Sequence, residues 1–229
     1  MIKVAQCWDD GAYNDIRLTE ILRKYNVPAT FNITPSWQGE QLRDGWITPD
    51  SPSQYYFYGY KAGRVGLREM REVYSGFQLA SHCMKHEHAH KVSTENFLRS
   101  ALDARHFLED MFQQDCPGFA WPYGAYTPET VKALSEAGFK YGRATCDTDD
   151  VAAYTDPMIL NPSCHALDGN FYNLFKTAKE NGRKAFYFWG HSYELLDSPG
   201  MWNLFEQKIK FLCDDPEVQW CNVIDLVTP

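Results

Sequence analysis

Short apolar segments alternate with amphipathic, helix-forming segments along most of this 229-residue chain. The clearest helix is predicted at residues 94–113, where apolar residues recur at helical spacing behind Ser93, a good N-terminal cap. Residues 2–8 and 185–189 have the length and composition of buried strands. Strands joined through helices pair in parallel, so the order predicts an α/β fold. Functional residues are then expected where the strands end.

Further elements follow the same alternation. Helices are predicted at residues 16–25, 171–181 and 201–213, and one more begins at Pro128 behind Thr127 and ends before Gly138. Strands are predicted at residues 29–33, 77–80, 139–143 and 218–223.

One domain is expected over residues 1–229, because a chain of this length with 44% hydrophobic residues can bury a sizeable core. Residues 35–63 break the alternation and are rich in proline, glycine, serine and aromatic residues. This segment follows the second strand and is expected to rise over the face where the strands end. Its aromatic rings either stack on sugar rings or pack the segment against the domain, and the sequence leaves both open.

Charge and cysteine content narrow the class of protein. The net charge of −8 argues against a nucleic-acid surface, which needs clustered Lys and Arg. Seven cysteines, an odd number lying mostly within apolar segments, predict buried thiols in a reducing compartment. No apolar segment has transmembrane length and a strand begins at residue 2, so the chain is expected to be cytoplasmic and without membrane association. A chain trimmed of its leader would look the same, and the oligomeric state stays open.

Two adjacent carboxylates, Asp9 and Asp10, follow the first apolar segment directly and precede Gly11. Like charges side by side disfavour each other's ionisation unless a cation or hydrogen bonds hold them. The pair therefore indicates a metal or acid/base site, although a turn also explains an Asp-Gly dipeptide.

Two histidines, His82 and His86, are four residues apart, so a helical turn or a tight loop would bring both imidazoles to one ion. Two imidazoles and a carboxylate suit zinc or a similar divalent metal, with positions left for water and substrate. Exposed or core histidines are the alternative. His88 and His90 also lie in this segment, and His86 and His90 have the same spacing.

Two later segments, Pro122-Tyr123-Gly124 and Trp189-Gly190-His191, again carry an apolar strand into a polar or glycine-rich end. The four motifs in this order resemble those of the polysaccharide deacetylases of carbohydrate esterase family 4, the NodB-homology group. The pattern covers residues 4–223. The resemblance implies a distorted (β/α) barrel of about seven parallel strands.

The resemblance also implies a role for each motif. Asp9 matches the catalytic base and His191 the general acid. Asp10, His82 and His86 match the ligands of one divalent metal ion, with zinc expected and cobalt, nickel or manganese as alternatives.

The implied function is that of a metal-dependent hydrolase, which removes N- or O-linked acetyl groups from an acetylated carbohydrate. The backbone N–H of Tyr123 would help to hold the oxyanion, and Pro122, Tyr123 and Trp189 would line the substrate site. Asp9 would take a proton from the attacking water and His191 would protonate the leaving amine or alcohol. A metal-dependent hydrolase of a small non-sugar amide and an inactive carbohydrate-binding protein are the alternatives.

The sequence departs from the family pattern around the base. Ala120 stands where many members have an arginine. Arg143 ends the next predicted strand, and we expect it to supply that charge to Asp9 as a further catalytic residue. The alternative is a solvated arginine that pairs with acidic residues nearby, namely Asp147, Asp149 or Asp150.

Other departures leave the metal and the acid/base pair in place. Cys83 replaces the Ser or Thr that usually follows the first histidine, and Trp189 replaces a leucine that lines the acetyl pocket. The Asp-x-x-Asp-Trp signature of the family is not legible. His165 either reaches the site from a loop or lies at the surface.

Overall fold

The computed structural model describes residues 1–42, 46–47, 60–196 and 198–228. Its helices are α1 (Asp15–Lys24), α2 (Met70–Val73), α3 (Thr94–Phe112), α4 (Pro128–Glu136), α5 (Phe171–Glu180) and α6 (Pro199–Cys213). Its strands are β1 (Ile2–Asp9), β2 (Thr30–Ile33), β3 (Trp46–Ile47), β4 (Tyr60–Lys61), β5 (Gln78–Ser81), β6 (Gly118–Ala120), β7 (Tyr141–Arg143), β8 (Cys164–His165), β9 (Ala185–Gly190) and β10 (Val218–Trp220).

Eight of these strands form one parallel sheet around β1. Seven follow the order β7-β6-β5-β2-β1-β9-β8, and β10 adds to residues 2–4 of β1, while β2 pairs with residues 7–9. The predicted curled arrangement of about seven parallel strands is confirmed. Its carboxyl ends all lie at one face, as parallel pairing requires.

The segment after β7 links the two edges of the curled sheet. The Leu160 N–H donates to the Gly142 carbonyl at 2.8 Å, and farther along the Ala166 N–H donates to the Trp189 carbonyl at 2.7 Å. Residues 160–166 therefore run from β7 to β9. As a result, Tyr141 of β7 and Tyr187 of β9 belong to one inner cluster.

Side chains of β1 alternate between two apolar layers, as strand geometry requires. Val4 and Trp8 point toward the helices, where the Trp8 ring meets Phe205 of α6 edge-on at 5.2 Å. Ala5 and Cys7 point into the curled sheet. Tyr141 and Tyr187 belong to the same inner cluster. Residues two positions farther along these strands form the next layer, which lies at the mouth of the barrel.

Most predicted elements agree with the structure to within a few residues. Ser93 caps α3, because its Oγ accepts from the Asn96 N–H at 3.3 Å. The predicted strand at residues 139–143 begins only at Tyr141, since the Phe139 N–H still bonds to the Leu134 carbonyl at the end of α4. The predicted strand at residues 218–223 ends at Trp220, and a 3-10 turn follows.

The aromatic segment at residues 35–63 lies largely outside the described residues. Its described parts are residues 35–42, 46–47 and 60–63, which include a 3-10 turn at Pro35–Trp37 and the antiparallel pair β3–β4. Among the helices that the structure describes, none is both long and apolar enough to cross a membrane.

Gly142 gives a test of the packing of β7. A Cβ atom there would lie 2.5 Å from the Met158 carbonyl oxygen and 2.6 Å from Trp121 Nε1. The carbonyl is backbone and already accepts from Trp121 Nε1 at 2.7 Å, so it cannot move aside freely. We expect Gly142→Ala to lower the free energy of unfolding by about 1–3 kcal/mol in urea titrations.

Gly169→Ala is the matched control, because a Cβ atom there meets no atom within 4 Å. It should leave the stability within about 0.5 kcal/mol of the wild type. Equal unfolding midpoints for the two variants would contradict the tight packing at Gly142.

Candidate functional site

The structure brings six of the predicted site residues together at the carboxyl ends of the strands. Asp9 is the last residue of β1 and Arg143 the last of β7, while His82 and His191 directly follow β5 and β9. Asp10 follows Asp9, and His86 returns to the same place through the loop after His82.

Asp9 and Arg143 form a buried ion pair, with side chains only 2% and 1% exposed. Arg143 Nη2 donates to Asp9 Oδ2, and Asn32 Nδ2 donates to Asp9 Oδ1 at 2.7 Å. Burial opposes ionisation of Asp9, yet the pKa of Asp9 lies below its ordinary value because the Arg143 charge and the Asn32 hydrogen bond favour the carboxylate. The base candidate is thus ionised and fixed in orientation.

Strand register explains why Arg143 reaches Asp9. Arg143 is the direct partner of Ala120 on β6, so both side chains face the interior of the curled sheet. Arg143 and Asp9 each lie two residues beyond the inner layer of Tyr141 and Cys7. The predicted alternative is not seen, since Asp149 and Asp150 pair instead with Arg183, at 2.7 and 2.8 Å.

Asp10, His82 and His86 form a group whose ligand atoms all lie within 4.8 Å of one another. Asp10 Oδ1 is 3.7 Å from His82 Nε2 and 3.8 Å from His86 Nε2, which is too far for hydrogen bonds. Asp10 Oδ1 is buried and has no hydrogen-bond partner among the described residues. Oxygen and nitrogen ligands about 2.0–2.2 Å from a zinc ion stand at a similar separation from one another.

A backbone carbonyl orients the His82 ring so that its Nε2 faces Asp10. The His82 ring is buried, and its Nδ1 lies 2.8 Å from the Ala120 carbonyl oxygen. Because a carbonyl can only accept, Nδ1 carries the proton and Nε2 keeps its lone pair toward Asp10. The residues present therefore fit a divalent metal ion.

The loop at residues 82–90 replaces the helical turn that the spacing also allowed. Cys83 and His86 have left-handed backbones, with φ of 59° and 57°, and these turns bring both histidines toward Asp10. The thiol of Cys83 is buried. Ser100 of α3 holds this loop, because the Met84 N–H donates to Ser100 Oγ at 2.9 Å and Ser100 Oγ donates to Glu87 Oε2 at 2.6 Å.

The neighbouring histidines lie apart from this group. His88 stacks on the Tyr123 ring at 5.3 Å, and His90 lies 5.5 Å from His88, between ring centroids. His90 is exposed, and the structure pairs His86 with His82 and Asp10 instead.

His191 faces Asp9 from the other side of the site, with its Nε2 3.8 Å from Asp9 Oδ2. Its Nδ1 lies 3.2 Å from Oε1 of Glu194, a buried residue that the sequence analysis missed. Burial lowers the pKa of His191, but Glu194 outweighs this and raises the pKa of His191 to about 9. A protonated His191 at neutral pH suits a proton donor. The His-x-x-Glu spacing was the signal that could have revealed Glu194.

The predicted substrate residues surround this site. Pro122 is buried in a 3-10 turn, and Tyr123 within that turn has a left-handed backbone, with φ of 59°. The Tyr123 ring is 64% exposed and meets His86 edge-on at 4.5 Å. Trp189 is half-buried, and the Arg143 guanidinium lies 4.6 Å from the centre of its ring.

Comparison with known proteins agrees with this architecture. The model of the family described as "Polysaccharide deacetylase" matches residues 2–142, more than half of the chain. None of the curated proteins matches the chain in sequence.

Three solved structures illustrate the similarity of fold. A probable polysaccharide deacetylase from Pseudomonas aeruginosa PAO1 has a TM-score of 0.70 at 15% identity, and the match covers 99% of this chain and 89% of that one. The Streptococcus pyogenes deacetylase PplD in complex with acetate has a TM-score of 0.54 at 20% identity, and the match covers 68% of this chain and 61% of that one. A CE4 family pseudoenzyme from Bacillus anthracis has a TM-score of 0.59 at 12% identity, and the match covers 99% of this chain and 65% of that one. This chain thus spans less than two thirds of the last two proteins.

The buried pair of Asp9 and Arg143 can be tested by its effect on stability. Arg143→Met leaves a buried carboxylate without its cation, so we expect the free energy of unfolding at about pH 7 to fall by about 3–5 kcal/mol. Adding Asp9→Asn to Arg143→Met removes the uncompensated charge and should restore part of this loss. Urea unfolding of the metal-free proteins measures both effects.

The pH dependence has a defined sign. In the wild type the lowered pKa of Asp9 stabilises the fold above the ordinary pKa of an aspartate, and this contribution is lost as the pH falls through the folded value. In Arg143→Met, burial alone raises the pKa of Asp9, so the variant loses stability as the pH rises. The difference in the free energy of unfolding between the wild type and Arg143→Met should therefore narrow from about pH 7 to about pH 4. A constant deficit would show that lost packing, not charge, causes it.

Proposed function

The chain belongs to the polysaccharide deacetylase family, and we propose that it is a metal-dependent hydrolase that removes N- or O-linked acetyl groups from a carbohydrate. One observation carries the proposal: an ionised Asp9 lies between the Asp10, His82 and His86 group on one side and His191 on the other. Acyl hydrolysis needs a base for water, a Lewis acid and a proton donor, and this arrangement offers a group for each.

Asp10, His82 and His86 would hold the divalent ion, which when bound lowers the pKa of water and polarises the acyl carbonyl. Asp9 would accept the proton of the attacking water, because Arg143 and Asn32 keep it ionised and oriented. The Tyr123 N–H would donate to the developing oxyanion. His191 would protonate the leaving amine or alcohol, and amide hydrolysis needs this step most because an amine anion leaves poorly.

Two alternatives have less support. The replacement of the family arginine by Ala120 would suit an inactive binding protein. However, Arg143 on β7, the strand next to that of Ala120, contacts Asp9. A hydrolase of small non-sugar amides would be favoured if residues 35–63 blocked the active-site groove. These residues lie largely outside the described part of the chain.

Acetate release is the direct test of the proposal. The purified protein would be incubated with N-acetylglucosamine oligomers, O-acetylated xylo-oligosaccharides and small acetamides, each with added zinc and with a chelator. We expect acetate from an acetylated sugar only when metal is present. Release from the acetamides alone would favour the non-sugar alternative, and metal binding without any hydrolysis would favour the binding protein.

The metal ligands can be tested without a substrate. His82→Ala and His86→Ala each remove a ligand whose loss leaves Asp10 with a single imidazole, so zinc measured by elemental analysis after dialysis should fall to background. His90→Ala is the matched control in the same loop and should keep the wild-type zinc content. Full zinc occupancy in both test variants would rule out this site.

The acid and base roles predict a bell-shaped dependence of kcat/KM on pH. Activity should fall at low pH as Asp9 is protonated and at high pH as His191 loses its proton. Asp9→Asn and His191→Ala should each lower kcat about 100-fold or more.

In both variants zinc should stay bound. His106→Ala, an exposed histidine on α3, should leave the profile unchanged. Near-full activity of zinc-loaded Asp9→Asn would show that Asp9 is not the base.

A further inference from the structure

Glu194 links His191 to a second histidine, His165, at the end of β8. His165 Nε2 lies 2.9 Å from Glu194 Oε2, and the backbone N–H of His191 donates to the same oxygen at 3.0 Å. Two nitrogens therefore lie within 3.0 Å of Oε2. The other carboxylate oxygen, Oε1, faces His191 Nδ1 at 3.2 Å.

A backbone contact fixes the tautomer of His165. The Leu167 N–H donates to His165 Nδ1 at 3.1 Å, so Nδ1 uses its lone pair as an acceptor. A neutral imidazole has one such nitrogen, and the other must carry the proton. Nε2 is then an N–H donor, which matches its short distance to the Glu194 carboxylate.

This tautomer argues against a second metal ion. The ligand atoms of His165, His191 and Glu194 converge closely enough to suggest one. A metal on His165 would need the lone pair of Nε2, while the lone pair of Nδ1 is already taken by Leu167. The three residues therefore form a chain of close polar contacts centred on Glu194, which we call the relay.

We propose that His165 is a positioning residue for the proposed proton donor: its Nε2–H holds one oxygen of Glu194 so that the other faces His191. Neighbouring packing supports this arrangement. The Trp189 ring contacts His165 at 4.9 Å and His191 at 5.5 Å, between ring centroids, so it fills the space beside the relay. The register of β8 and β9 places His165 directly opposite Trp189.

The charged groups around the relay come from several elements. His191 is faced by Glu194 in its own turn and by Asp9 and Asp10 from the end of β1. His165 is faced by Glu194, and the charge of Asp147 after β7 lies within electrostatic range of it. Of these groups, only Glu194 contacts both histidines. Its orientation therefore sets which carboxylate oxygen faces His191 Nδ1.

The test compares His165→Leu, which removes the donor, with His165→Gln, whose amide N–H can reach the same oxygen. Histidine ¹⁵N NMR on the full chain, which has seven histidines, reports the tautomer of His165 and the pKa of His191 without any substrate. We expect the Nε2–H tautomer in the wild type. The pKa of His191 should fall in His165→Leu and return toward the wild-type value in His165→Gln.

This proposal rests on the proposed function only for its kinetic consequence. With the acetylated sugar that releases most acetate, kcat should fall about 10-fold in His165→Leu, KM should stay unchanged, and His165→Gln should recover most of kcat. The NMR results stand if no substrate is hydrolysed, so failure of the function and failure of the relay are distinguishable.

Four results would overturn the proposal. The first is an Nδ1–H or doubly protonated His165 at neutral pH, and the second is an unchanged or raised pKa of His191 in His165→Leu. The third is a His165→Gln variant that behaves like His165→Leu, which would indicate a packing role. The fourth is a shift of the His165 signals with a second equivalent of zinc, which would indicate a metal site.

Discussion

The buried pair of Asp9 and Arg143 is the interaction on which the rest of the site depends. A carboxylate 2% exposed would ordinarily take up a proton, and a neutral acid could serve neither as a base nor as a neighbour for a cation. The guanidinium keeps Asp9 ionised, and the charge of Asp9 in turn favours protonated His191. The carboxylate proposed as base and the imidazole proposed as acid can therefore stand 3.8 Å apart.

The parallel sheet supplies the geometry that this pair requires. Asp9, Asp10, His82, Arg143 and His191 lie on or just beyond the carboxyl end of a strand, so strand length and register set their distances, and the loop after β5 brings His86 back to them. Ala120 and Arg143 illustrate this, because the two positions are direct partners across β6 and β7. Ala120 is small and still contributes its carbonyl, which orients His82.

The sequence was sufficient to predict the elements and most of the site, since alternation and motif order are local properties. Strand order predicted Arg143 near Asp9 but did not exclude Asp149 as the partner of Arg143. The choice between the two depends on which face of β7 points inward, and only the structure shows this. Glu194 and Asn32 were missed for a related reason. The His-x-x-Glu spacing points to Glu194 only weakly because such spacings are common, and a single amide such as Asn32 has no distinctive local pattern. The folded structure shows that each contacts a site residue.

The surroundings of His191 show how a carboxylate close in sequence is placed beside a histidine. Glu194, in the 3-10 turn that directly follows His191, brings a carboxylate oxygen to 3.2 Å from His191 Nδ1. The His191 N–H holds the other carboxylate oxygen at 3.0 Å, and His165 on the adjacent strand β8 lies 2.9 Å from that same oxygen. The pairing of β8 with β9 thus brings together two residues, His165 and Glu194, that lie far apart in the sequence.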